Sequence, residues 1–178
     1  MSEVTQVNKT STTTAAAITG AQLSRKFLTF FLGEEAYGLG ISSVHEIIGM
    51  LPVTRVPRTP QFSRGVINLR GKVIPIFDLR LKFNMEQQEA TPQTCIIVVQ
   101  IQGVQMGVIV DRVLEVLDIR AEDIDEPPSF GSGVNTDFLL GIGKSQGRVN
   151  LLLDIDHVLS TQELITIESV ADQEVAKN

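Results

Sequence analysis

Leu28, Phe30 and Leu32 recur at every second position before a Gly33-Glu34-Glu35 turn, and Tyr37, Leu39 and Ile41 do so after it, alternating with Gly38 and Gly40. Period two predicts a hairpin of half-buried strands. Glycines inside a strand indicate sharp curvature or close backbone approach. Ser43-Val44-His45-Glu46 has capping-box spacing and predicts one helical turn before the next strand. Ile41, Val44 and Ile47 recur every third residue, so such a turn would put them on one side. Thr59-Pro60 reads as a cap and first position of a short helical turn through Ser63. Val66–Leu69 and Val73–Phe77 predict a hairpin about Arg70-Gly71. Pro75 has no N–H to give a ladder, so its strand is expected to be an edge or bulged there. Asp78 is placed to cap a short helix through Phe83.

The pattern then repeats. Lys26–Ile48 aligns without gaps on Cys95–Leu117 at an offset of 69, pairing Gly38 with Gly107, Val44 with Val113 and Glu46 with Glu115. Phe62–Phe83 aligns on Phe138–Leu159 at an offset of 76, pairing Gly65 with Gly141, Gly71 with Gly147 and Asp78 with Asp154. Two ungapped blocks in the same order mark an internal duplication, with copies over roughly 26–83 and 95–159. Short curved strands with few helices, written twice, predict a mostly β fold of two small barrels of about five strands each. A barrel of ~60 residues alone is marginal, whereas two packed copies bury more and leave a groove between them. Residues 1–24 are rich in Thr, Ser and Ala without a period and read as a disordered tail. Ser160-Thr161-Gln162-Glu163 is a second capping box and opens a C-terminal helix or tail over 161–178.

Composition narrows the function. The net charge of −6 and the absence of Trp disfavour a phosphate-backbone binder and an anionic membrane surface. No apolar run of ~20 residues crosses a bilayer, and the polar N-terminus is no signal peptide, so a cytoplasmic protein is expected. One cysteine, Cys95, excludes an internal disulfide, and the two histidines, His45 and His157, leave little for metal or triad chemistry. Gly141-Ile142-Gly143-Lys144-Ser145 resembles the end of a phosphate loop, but Phe138 stands where the first glycine belongs and Gln146-Gly147 turns into a strand. Asp123 and Asp125 precede Pro127-Pro128 and read as solvated charge. No enzyme, cofactor or metal site is expected. What the sequence offers is binding surface, with a small barrel that binds an oligonucleotide or ligand as one reading of it. Arg70 at its hairpin tip is matched by Gln146 in the second copy, so the turn does not need an arginine to form.

The run Gly65-Val66-Ile67-Asn68-Leu69-Arg70-Gly71-Lys72-Val73-Ile74-Pro75-Ile76-Phe77-Asp78-Leu79-Arg80 resembles the signature of the CheW family of bacterial chemotaxis coupling proteins. Ile41–Ile47, Met106–Asp111 and Leu151–Asp154 resemble its other motifs, in the same order. The resemblance implies two intertwined five-stranded SH3-like barrels. It implies a non-catalytic adaptor between transmembrane chemoreceptors and the histidine kinase CheA, cytoplasmic and recruited to receptor arrays. By matched positions, Leu28, Ile41, Val44 and Ile47 would meet the kinase's regulatory domain. Glu46, Gly65, Asn68 and Arg70 would lie near the receptor tip, with Glu46 and Arg70 paired.

Overall fold

The structure, a computed structural model, describes residues 24–129, 131 and 135–176. The tail read over 1–24 lies outside these residues, apart from Ser24. Five strands precede the linker between the copies: β1 (Ser24–Leu32), β2 (Glu35–Gly40), β3 (Val44–Gly49), β4 (Ser63–Leu69) and β5 (Lys72–Asp78). Six follow it: β6 (Cys95–Ile101), β7 (Val104–Val110), β8 (Arg112–Arg120), β9 (Ile124–Asp125), β10 (Leu139–Ser145) and β11 (Arg148–Leu153). The helices are α1 (Leu79–Lys82), α2 (Ile155–Val158) and α3 (Thr161–Ala176).

The strands form two sheets, a six-stranded one in the order β8-β1-β2-β11-β10-β9 and a five-stranded one in the order β3-β6-β7-β5-β4. The copies have exchanged their leading hairpins. β1 and β2 of the first copy complete the sheet of the second, while β6 and β7 complete the sheet of the first. The expected barrels are therefore intertwined, and the repeat boundaries are not sheet boundaries. Each ladder is open rather than a closed ring.

Each exchange is made by one parallel junction. Leu152 of β11 pairs with Gly38 of β2, and Ile76 of β5 pairs with Gly107 of β7. These are equivalent positions in the duplication. A Cβ on Gly38 would lie 2.9 Å from Leu152 Cδ2, and one on Gly107 would lie 2.3 Å from Ile76 Cδ1. The strand glycines thus serve close approach.

Alternation divides each central strand between two cores. In β6, Ile96 and Val98 fill the five-stranded half together with Ile67, Ile74, Ile76 and Ile109. Ile97, Val99 and Ile101 face the largest cluster, which also holds Phe30, Leu39, Phe77, Val108, Leu153 and Leu164 from both copies. The space expected as a groove between barrels is largely this shared core. Burying one such side chain is worth about 1.5–3 kcal/mol.

Local signals hold in most places. Asp78 accepts from Arg80 N at 2.9 Å, and its counterpart Asp154 accepts from Asp156 N at 3.2 Å, each capping one helical turn. Ser160 N donates to Glu163 at 2.7 Å and Glu163 N donates to Ser160 Oγ at 3.2 Å, a reciprocal capping box. Three readings change. Residues 59–63 form a turn, closed by Ser63 N donating to Pro60 O at 2.9 Å, and not a helix. Only Ile41–Ser43 is helical near the first capping box, as 3-10 helix, because Val44 already enters β3. Pro75 is not on an edge strand. β5 has β7 beside it, but their pairing begins at Ile76, so the missing N–H breaks no bond of that ladder.

One ionic clamp ties the copies. Arg80, 7% exposed, donates from Nε to Asp111 Oδ1 at 2.7 Å, and Asp111 Oδ2 accepts from Gly33 N at 2.7 Å. Burial pushes the Asp111 carboxyl up, but the Arg80 fork and the Gly33 N–H outweigh it and hold the group below its ordinary range. Glu163 behaves likewise: burial raises it, and Lys82 with Ser160 brings it lower.

Three outcomes follow from the exchange and the clamp. Residues 1–90 alone lack β6 and β7 and are expected to give a collapsed 1H–15N spectrum; a well-dispersed one would show that a copy folds unaided. Depressed folded pKa values add stability above the unfolded values near 4 and lose it as pH falls through the folded ones. The melting temperature should therefore be flat from about pH 7 to 5 and fall below about 4. Asp111→Asn should flatten part of that fall and cost about 1–3 kcal/mol at pH 7, read by denaturant titration.

Candidate functional site

β3 and β4 are the two edges of the five-stranded sheet. The sheet curls until these edges approach, and a single backbone bridge between Thr54 and Val66 joins the loop after β3 to β4. Glu46 on β3 accepts from Arg70 Nη2 at the tip beyond β4, so this ion pair spans the open seam.

The tip is built for that. Arg70 and Gly71 have φ of 52° and 84°, the two left-handed residues of a tight two-residue hairpin turn. Asn68 Oδ1 accepts from Gly71 N at 2.8 Å and fixes the turn. Gln146 and Gly147 repeat the turn at 52° and 72° in the second copy. The Arg70 side chain is 70% exposed and that of Glu46 30%, so the arginine keeps donors for a further partner. Donating a hydrogen bond to Glu46, together with that carboxylate's charge, holds the guanidinium above its ordinary pKa.

Gly65 is elsewhere in this arrangement. It is buried, sits at a bulge in the β4–β5 ladder with φ of 128°, and a Cβ there would lie 2.0 Å from Thr54 O. It cannot itself touch a partner; it lets the loop after β3 close on β4.

The apolar set also separates. Ile41 and Ile47 are exposed at 39% and 45%. Val44 is half-buried against the shared core. Leu28 is 3% exposed within that core, so it supports the surface and is not part of it. The expected helical stripe is replaced by strand alternation in β3, where Val44, Glu46 and Ile48 are the less exposed residues and His45 and Ile47 the more exposed. Leu140, 40% exposed, lines one depression with Ile41, Arg25 and Asp154. The sequence signal for Leu140 was an apolar residue where its counterpart in the first copy is Arg64. Among the described residues no group of His, Cys, Asp or Glu is arranged to hold a metal.

Comparison with known proteins gives a consistent match. The family model for a CheW-like domain matches residues 26–163. The chemotaxis protein CheW of Klebsiella aerogenes is 39% identical over 158 residues, covering 89% of this chain and 95% of that protein. The chemotaxis protein CheW of Bacillus subtilis is 31% identical over 138 residues, covering 77% and 88%. The crystal structure of the scaffolding protein TtCheW from Thermoanaerobacter tengcongensis superposes with a TM-score of 0.72 at 36% identity, covering 79% of this chain and 95% of that one.

The two glycines near the seam should differ sharply on substitution. Gly65→Ala meets backbone and should cost ~3 kcal/mol or more through strain and overlap. Gly71→Ala has open space around it and should cost ~1 kcal/mol for its positive φ alone. Chemical denaturation of both variants checks the contrast, and equal losses would contradict the packing at Gly65.

Proposed function

The chain belongs to the CheW-like family of chemotaxis proteins, and on that premise we propose that it is a non-catalytic adaptor joining transmembrane chemoreceptors to the histidine kinase CheA. The observation that carries the reading is the Glu46–Arg70 pair across the seam, on a chain that also exposes Ile41 and Ile47. A charged tip with free donors suits a polar helical hairpin, and two exposed aliphatics suit apolar anchor contacts on the kinase's regulatory domain. The receptor side is Glu46, Asn68 and Arg70, with Gly65 shaping it. The kinase side is Ile41 and Ile47, with Val44 beneath them and Leu28 in the core.

No described helix is long and apolar enough to cross a membrane, so recruitment to receptor arrays would come through the receptors. An oligonucleotide-binding barrel gains no support, since the candidate surface carries a carboxylate beside its arginine.

One paired titration tests the reading. Arg70→Glu should keep the melting temperature and the affinity for the kinase's regulatory domain, and weaken binding to a receptor cytoplasmic fragment at least tenfold. Ile47→Asp should do the reverse, with a loss of roughly 2 kcal/mol on the kinase side. Wild-type receptor affinity in Arg70→Glu would remove the seam from the receptor site.

A further inference from the structure

Phe31, half-buried on β1, carries two guanidiniums on its ring. Arg112 Cζ of β8 lies 4.8 Å from the ring centroid and Arg148 Cζ of β11 lies 5.2 Å from it. Arg112 is the cross-strand neighbour of Phe31. Arg148 reaches the ring from β11, beyond β2 in the sheet. Both arginines are exposed, and neither forms an ion pair among the described residues. Glu34 and Glu89 line the adjoining depression with Phe31 and Arg112 yet do not pair with them, and Asp111 there is committed to Arg80 and Gly33.

The fold does not require this cluster. The duplicate positions of Phe31, Arg112 and Arg148 are Gln100, Ser43 and Lys72, and the five-stranded half forms without an aromatic or an arginine there. Two like charges gathered on one ring repel each other, and stacking on the face leaves the guanidinium edges and their donors free. In a chain of net charge −6 this is an unneutralised cationic island whose repulsion an anion would relieve.

We propose that Phe31, Arg112 and Arg148 form a third docking surface, distinct from the seam and from Ile41 and Ile47, for an acidic protein segment presenting Asp or Glu side chains. Carboxylates accept the paired donors of a guanidinium edge. The half-buried ring holds the two guanidiniums together beneath the segment. The cluster lies on strands, without a helix N-terminus to favour inorganic phosphate.

The test uses the full chain and a fluorescein-labelled hexaglutamate peptide, followed by anisotropy at low salt. Saturable binding is expected, weakening as salt rises. Arg112→Ala/Arg148→Ala should weaken it at least tenfold, and Phe31→Thr severalfold with no change of charge. Arg55→Ala/Arg58→Ala, the same charge loss on another exposed surface, should leave it unchanged. An equal loss in that control would reduce the effect to net charge and overturn the proposal. So would no binding by the wild type, competition by inorganic phosphate at equal anion concentration, or a wild-type dimer that Arg112→Ala/Arg148→Ala dissolves.

Discussion

Two parallel junctions, Gly38 under Leu152 and Gly107 under Ile76, are where each copy grips the other's hairpin. A Cβ at either glycine would displace the aliphatic side chain packed over it, Leu152 at Gly38 and Ile76 at Gly107. The consequence reaches the surface. β6 and β7 occupy the middle of the five-stranded sheet, so its curvature, and hence the approach of β3 to β4, depends on the second copy's hairpin. Glu46 and Arg70 both come from the first copy, yet they meet across a sheet whose centre the second copy fills. The seam is thus a product of the exchange, and a single copy would not assemble it.

Features set by a few neighbouring residues were legible in the sequence. The Arg70-Gly71 turn, the Asp78 and Asp154 caps and the Ser160–Glu163 box each rest on backbone groups within four residues. Features set by distant partners were not. Leu28 matches a contact motif, but its burial depends on which sheet receives β1, and that sheet belongs to the other copy. Pro75 signals a missing ladder bond without revealing that β7 starts one residue later. The duplication itself was plain, but identity between copies says which positions correspond and not which strands pair. Phe31, Arg112 and Arg148 are far apart in the chain, and only the register of β1 with β8 and the sheet order unite them.

The halves are not energetically equal. Ile74 fills the five-stranded half, while its duplicate is the polar Asn150, 1% exposed, whose side-chain amide finds no partner among the described residues. The apolar cluster inside the six-stranded half is also smaller, built on Phe27, Ile119 and Leu152. That half gains its stability through the core it shares with the other, which strengthens the coupling that the junctions create.

A duplicated fold carries its own control for separating structure from function. Where the copies agree, the residue answers a demand of the backbone. Gly38 and Gly107 meet an aliphatic side chain at a junction, Gly65 and Gly141 meet a backbone carbonyl at a bulge, and Asp78 and Asp154 cap a helical turn. Where they disagree at matching geometry, the fold has no preference and another demand acts. Arg70 and Gln146 share a φ of 52°, yet among the described residues only Arg70 pairs with a carboxylate. Glu115 keeps the acidic residue of the seam opposite a second copy that has lost its arginine, and it makes no ion pair among the described residues. The first copy's seam carries an ion pair, while the second copy's carries a carboxylate that is unpaired among the described residues. Over on β1, β8 and β11 the bias is reversed, with the aromatic ring and both arginines on the six-stranded sheet and Gln100, Ser43 and Lys72 on the other. The two halves share one scaffold but present different chemistry on their surfaces.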